Sequence, residues 1–267
     1  MKYLKIIFEF YINSSLHVAL SVYALIRITE FYFSLSYNEE LDYFIFYGTI
    51  TGYNFVKYAG IAKLHHMSLT KNLRLIQIFS LFSFLLMCYY LIQIDLRILL
   101  YFIPFSLLTL FYAIPIFKGL TKNLRNIGTL KIFIIAIVWS GVTSLIPLVS
   151  QGEIGINEVM YSIQRFLFVV VLTLPFDIRD MQYDKKYLQT IPQVIGVERT
   201  KKLGFILLLF TVIIEFFITP NPSFKFVYMI VFFVLLLFLQ RTKIKQSKYY
   251  ASFWVEAIPV FWLLMLR

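Results

Sequence analysis

The sequence predicts an all-α, polytopic membrane bundle of nine transmembrane helices around a central cavity, in a single domain of residues 1–267. Three observations predict this class: the composition, the number of long apolar segments, and the placement of the basic residues. The chain is 60% hydrophobic and 15% charged, whereas soluble domains carry about 25% charged residues. Because the apolar residues are spread along the whole chain, the composition excludes a soluble globular domain.

Nine apolar segments are long enough to cross a hydrocarbon core of about 30 Å, which takes about 20 helical residues. In chain order they cover 16–33, 43–62, 75–94, 98–117, 132–149, 159–180, 204–219, 224–240 and 251–266. The second segment contains Gly48 and Gly52, a spacing that permits close approach of two helices. Pro220 and Pro222 end the seventh segment, since proline disfavours continuation of a helix.

Basic residues alternate between the two sides of this predicted bundle. Nineteen Lys and Arg residues fall on one side and three on the other. The positive-inside rule therefore places the N-terminus in the cytoplasm and the C-terminus outside. A bacterial inner membrane or a plasma membrane is the expected location. The net charge of +11 follows from these loops, and nucleic acid is not an expected partner.

The end of the sixth segment carries the densest polar pattern of the chain. Asp177, Asp180 and Asp184 are spaced so that a helix would place all three carboxylates on one face. At a helix C-terminus the macrodipole disfavours each negative charge by roughly 0.3–1 kcal/mol, so a counter-cation is required. The candidates are Arg179, Lys185, Lys186 and a bound metal ion. A solvated loop of surface ion pairs is the alternative interpretation.

This segment resembles the second aspartate-rich motif of the UbiA superfamily of intramembrane prenyltransferases. The D-x-x-x-D pair of the family falls on Asp180 and Asp184, and the sequence Thr190-Ile-Pro192 and then Gly196 follow. The stretch Phe111-Tyr112-Ala-Ile-Pro115, with Lys118 after it, resembles the aromatic-small-proline turn of the family. Nine spans with an internal N-terminus are also the family architecture.

The resemblance implies a cavity open laterally to lipid, in which an isoprenoid chain passes from a polyprenyl diphosphate to a lipophilic, commonly aromatic, acceptor. It implies Mg²⁺ held by Asp180 and Asp184, with Asp177 assisting as a third catalytic carboxylate. Oxygen ligands suit Mg²⁺, and the cation would neutralise the leaving diphosphate. Lys118, Lys122 and Lys185 are candidate contacts to the phosphate oxygens.

The second segment departs from the family pattern. Asn54 matches the family asparagine, but the two acids expected at four-residue intervals fall on Tyr58 and Ala62. We expect Asn54, Lys57 and Tyr58 to form the opposite side of the substrate site, with Lys57 contacting phosphate. The structural alternative is a polar helix contact for Asn54 and a lysine that reaches the membrane interface.

Two further classes of function were weighed against a transferase. A family member that has lost the first metal site would act as a membrane lipid-binding or interaction protein. A secondary transporter would show broken spans in paired positions, and the prolines here do not form such pairs. Arg165, Glu215 and Glu256 lie within apolar segments, where charge is costly. An ion pair of Arg165 with Glu215 or Glu256 is one structural solution, and the sequence does not assign their roles.

Overall fold

Within the described residues, each of the nine predicted segments contains helix. The computed structural model describes residues 2–62, 71–114, 128–152, 154–183, 188–219 and 221–267. The helices within these ranges are α1 (Lys2–Asn13), α2 (Leu16–Phe33), α3 (Glu39–Ala62), α4 (Lys71–Leu91), α5 (Leu96–Ala113), α6 (Leu130–Ser140), α7 (Ile146–Gln151), α8 (Ile156–Asp180), α9 (Ile191–Ile195), α10 (Val197–Ile218), α11 (Pro222–Arg241) and α12 (Ile258–Leu266). A π-helical turn, Gly141–Leu145, joins α6 to α7, and a second, Tyr250–Val255, precedes α12.

Six helical stretches in the described ranges are both long and apolar enough to cross a membrane. They are Leu16–Phe33, Leu73–Leu91, Leu96–Ala113, Leu130–Gln151, Ile156–Asp180 and Pro222–Arg241. The protein is therefore an integral, multi-pass membrane protein, but the predicted count of nine spans is not confirmed. Asn54 and Lys57 reduce the apolar character of α3, and Lys201, Lys202 and Glu215 reduce that of α10. The last apolar helix, Tyr250–Leu266, is shorter.

α2 and α8 form the centre of the bundle. α8 packs against α6, α10 and α11, and α2 packs against α3, α12 and the Gly141–Leu145 turn. More than half of each central span is buried, against 11% of the α4 span and 6% of the α5 span. The apolar side chains that α4 and α5 leave exposed are therefore suited to contact with lipid.

The first helix has no counterpart among the predicted segments. α1 lies across the end of the bundle at which α8 ends, where the Phe8 ring packs edge-on against Tyr249 and Phe253. Ser15, with φ of 62°, then turns the chain into α2 in the left-handed conformation. Exposed apolar residues on α1 beside Lys5 are typical of a helix that lies in the membrane interface.

Gly48 and Gly52 do not mediate a close helix contact. A Cβ atom at Gly52 would have no neighbour within 4 Å among the residues described, and one at Gly48 would meet Met87 at an ordinary 3.7 Å. The prediction drawn from their spacing is wrong. Small residues permit close approach only where the neighbouring helix lies on their face, and that depends on helix rotation.

Arg165 is not ion-paired with either glutamate in the described part of the chain. Its guanidinium is buried and donates to the carbonyl oxygen of Leu25 at 2.8 Å. Glu215 is also buried, and its carboxylate accepts a 2.7 Å hydrogen bond from Gln164 Nε2. The two groups are thus satisfied by neutral polar groups, and not by a direct pair with each other.

Candidate functional site

A cavity of about 650 Å³ lies at the end of the bundle where α8 ends. Side chains of α2, α3, α5, α6, α8 and the Tyr250–Val255 turn line it. Its apolar lining includes Val18, Ile132, Ile135, Val138 and Leu172. Its charged lining consists, among the described residues, of Lys57, Lys131, Asp177, Arg179, Asp180 and Glu256. The cavity therefore offers an apolar chamber next to a charged end, which suits an amphiphilic ligand.

Asp177 is held by a lysine from the neighbouring helix. Lys131 Nζ lies 2.7 Å from Asp177 Oδ1, and the two side chains are 14% and 4% exposed. Lys131 is in the first turn of α6 and Asp177 in the last turn of α8, so each charge is at the helix end that the macrodipole disfavours. Their contact offsets both penalties. Sequence analysis did not assign Lys131 to the site, because it lies 46 positions from Asp177 in the chain.

Asp180 is paired within its own helix. Arg179 Nε lies 2.8 Å from Asp180 Oδ1, and the guanidinium also covers the Phe176 ring, 5.3 Å from its centroid. Arg179 was one of the counter-cations expected for the acidic segment, and both residues line the cavity. The structure therefore brings Asp177 and Asp180 together in one cavity, each beside a basic side chain.

The predicted substrate-binding face of α3 contacts the turn between α1 and α2. Asn54 accepts from Ser15 Oγ at 2.8 Å and donates to the Ser14 carbonyl at 2.9 Å. The left-handed turn leaves backbone carbonyls without helix partners, and in an apolar surrounding such groups need donors. Asn54 is thus held by protein groups.

Lys57 and Tyr58 lie one helical turn after Asn54 in α3 and bind the same α1–α2 turn. Lys57 Nζ donates to the Asn13 carbonyl at 3.0 Å, and the Tyr58 hydroxyl donates to the same oxygen at 2.9 Å. Of the three residues predicted on this face, Lys57 alone also lines the cavity. A substrate role for Asn54, Lys57 and Tyr58 stays a prediction.

Four predicted site residues, Asp184, Lys118, Lys122 and Lys185, lie outside the described residues, and their roles stay predictions. Within the described ranges, no three His, Cys, Asp or Glu side chains are grouped so that they could hold a metal ion. Asp177 and Asp180 are each in an ion pair. The carboxylates of the described residues do not by themselves fit a magnesium site, and the Mg²⁺ prediction therefore depends on Asp184.

Glu256 lines the cavity from the short turn between Tyr250–Val255 and α12. Its backbone N–H donates to the Ala251 carbonyl at 3.1 Å, one residue further back than in an α-helix, and such π-turns are frequent at functional sites. His17 fixes the turn, since its Nε2 lies 2.9 Å from the Phe253 carbonyl oxygen. Sequence analysis noted Glu256 only as a charge in an apolar segment, which was the available signal.

A short loop closes the cavity beside α6. Leu188 and Thr190 line the cavity, and the carbonyls of Leu188 and Gln189 approach Gly128 so closely that a Cβ atom there would overlap them. α9 follows this loop, and Gly196 is the residue after its last turn. The φ angle of Gly196 is 83°, in the left-handed region that favours glycine. The Thr-x-Pro and Gly pattern therefore builds a loop that borders the cavity.

The fold resembles that of a solved membrane enzyme. Comparison with solved structures finds a digeranylgeranylglyceryl phosphate synthase with a TM-score of 0.60 and 15% sequence identity, over 100% of this chain and 98% of that one. No family model and no curated protein matches the sequence. At this identity the likeness concerns the fold, which the two chains share over their whole lengths.

Proposed function

We propose that the protein is a UbiA-like prenyltransferase, which transfers an isoprenoid chain from a polyprenyl diphosphate to a lipophilic acceptor such as an aromatic ring. The observation that carries the proposal is the cavity, which joins an apolar chamber to a charged end holding Asp177 and Asp180. The full-length likeness to a digeranylgeranylglyceryl phosphate synthase supports the same class of reaction.

The charged end of the cavity matches the head of such a donor. Lys57, Lys131 and Arg179 line it, and ammonium and guanidinium groups bind phosphate oxygens by charge-assisted hydrogen bonds. These groups would stabilise the diphosphate as its bond to C1 of the isoprenoid breaks, because negative charge develops on that oxygen. No step of the proposal requires a metal ion.

The chamber matches the isoprenoid chain and its allylic cation. Aromatic rings of Tyr53, Tyr112 and Trp139 line the cavity together with aliphatic side chains. Trp139 Nε1 donates to the Tyr53 hydroxyl at 2.8 Å, which fixes both rings. Aromatic faces attract cationic carbon, and the acceptor then forms the new bond to C1 and loses its proton.

A non-catalytic lipid-binding protein is the second candidate. The α3 face favours this candidate. Asn54 and Tyr58 bind the α1–α2 turn, and Tyr58 and Ala62 occupy the two positions where the family has acids. The second candidate is a membrane lipid-binding or interaction protein that has lost the transferase activity, and turnover of a polyprenyl diphosphate separates the two. A wild-type protein that binds the donor but releases no diphosphate with any acceptor would support the second.

The proposal is tested with purified protein in lipid vesicles. Geranylgeranyl diphosphate is supplied with a panel of lipophilic phenols and prenylglyceryl phosphates, with and without Mg²⁺. We expect release of diphosphate and a prenylated product detected by mass spectrometry. Absence of binding for farnesyl and geranylgeranyl diphosphates alike would contradict the transferase.

A pair of variants tests whether the chamber holds the isoprenoid chain. Val138 lines the cavity, whereas Ile137 beside it is 39% exposed on the outside of α6. Val138→Phe should weaken binding of geranylgeranyl diphosphate about tenfold, equivalent to about 1.4 kcal/mol, and shorter chains less. Ile137→Phe adds the same volume away from the chamber and should leave the affinity unchanged. Equal effects of the two variants would place the chain elsewhere.

A further inference from the structure

A second depression adjoins the cavity at the end of α8. It is an open groove of about 720 Å³ between the end of α8 and the loop that follows α11. Its lining residues are Arg179, Asp180, Gln182, Tyr183, Lys245, Gln246, Ser247 and Lys248. Arg179 and Asp180 also line the cavity, so the two spaces share one wall. The sequence analysis assigned no site residue to the 242–249 loop.

The two spaces differ in charge. Among the described residues, the basic groups that line the cavity, Lys57, Lys131 and Arg179, are matched in number by the acids Asp177, Asp180 and Glu256. A diphosphate placed entirely in the cavity would compete with Asp177 for Lys131 and with Asp180 for Arg179. The groove adds Lys245 and Lys248, and among the described residues its lining holds one acid, Asp180. Anions concentrate where a concave surface carries one sign of charge.

Hydrogen bonds hold the groove in place beside α8. Gln246 Nε2 donates to the Pro175 carbonyl at 3.3 Å, and Gln182 Nε2 donates to the Ile244 carbonyl at 3.4 Å. The first bond joins the loop to the last turns of α8, close to Asp177 in the chain. The lysines of the loop are thus presented at a defined position next to the shared wall.

We propose that this groove is a binding subsite for the distal phosphate of a prenyl diphosphate, with Lys245 and Lys248 as its ligands and Arg179 bridging the two phosphates. The inference rests on the proposed function and deepens it. The isoprenoid chain occupies the cavity, C1 lies at the shared wall, and the distal phosphate extends into the groove. The departing diphosphate then leaves through the groove, which is open.

Glu9 of α1 is the competing partner for this subsite. Lys248 Nζ lies 3.4 Å from Glu9 Oε1, and the Tyr249 hydroxyl donates to the same oxygen at 3.2 Å. The hydrogen bond and charge of Lys248 lower the pKa of the Glu9 carboxyl. Lys248 is exposed and Glu9 is partly exposed, and ion pairs at the surface contribute little free energy. A phosphate carries more negative charge than a carboxylate and therefore displaces Glu9 from Lys248.

The test measures binding of three probes to full-length protein: geranylgeranyl thiolodiphosphate, geranylgeranyl monophosphate and geranylgeraniol. The double variant Lys245→Gln/Lys248→Gln should weaken binding of the diphosphate analogue at least about tenfold, because two charged contacts are lost. The affinity for the monophosphate should fall less than about threefold, and the affinity for geranylgeraniol should not change. The control Lys202→Gln/Lys243→Gln removes two exposed charges outside the groove and should have less than about a twofold effect.

The outcomes separate this inference from the proposed function. If Lys245→Gln/Lys248→Gln weakened binding of the monophosphate and of the diphosphate analogue equally, the assignment of the distal phosphate to the groove would be overturned. Equal effects of this variant and of the control double variant would overturn it as well. In both cases the wild type still binds a prenyl diphosphate, and the proposed function stands. Failure of the wild type to bind any of the prenyl diphosphates would overturn the proposed function itself.

Discussion

Lys131→Met should destabilise the protein by about 3 kcal/mol, the lower end of the range for breaking a buried ion pair. Lys131 and Asp177 are 2.7 Å apart and mostly buried, so the variant leaves the carboxylate without this cation in an apolar surrounding. Each kcal/mol shifts the melting temperature of a domain of 150–250 residues by about 2–4 °C. Thermal unfolding of the purified protein in detergent therefore measures the effect.

The matched control for this prediction is the double variant Lys131→Met/Asp177→Asn. It removes both charges and keeps the side-chain volumes similar, so most of the lost stability should return. Lys131→Arg keeps the charge and should have the smallest effect of the series. A double variant as unstable as Lys131→Met would mean that packing, and not the ion pair, explains the loss.

Gly128→Ala should displace the loop that closes the cavity. The new Cβ atom would overlap the carbonyl oxygens of Leu188 and Gln189, and backbone atoms cannot move aside as a side-chain end can. Overpacking of this kind costs about 1–3 kcal/mol. Because Leu188 and Thr190 line the cavity, we expect a lower melting temperature together with weaker binding of geranylgeranyl thiolodiphosphate.

Gly52→Ala is the control for this substitution. No atom of the described residues lies within 4 Å of a Cβ at Gly52, and alanine favours the helix over glycine by about 0.5–1 kcal/mol. The control should therefore be neutral or slightly stabilising. If Gly128→Ala were as stable as Gly52→Ala and bound the analogue equally well, the loop would not depend on the close approach.

The helices themselves were largely predictable, because the length and apolarity of a segment are local properties. The first predicted segment, 16–33, coincides with α2, and the sixth, 159–180, ends where α8 ends. The presence of Asp177 and Asp180 at one site also followed from helical periodicity. The span count was less predictable, because polar and charged residues within α3 and α10 lower their apolarity, and the length of a segment does not reveal this.

The partners of these residues were not predictable, because they depend on how helices rotate and which ones pack together. α3 turns Asn54 and Tyr58 toward the α1–α2 turn, although their sequence spacing fitted a substrate site. α6 brings Lys131 to Asp177, and the 242–249 loop brings Lys245 and Lys248 to the end of α8. Helical periodicity decides which side chains share a face of one helix. Packing between helices decides what that face contacts, and here it places Lys131 of α6 beside Asp177 of α8.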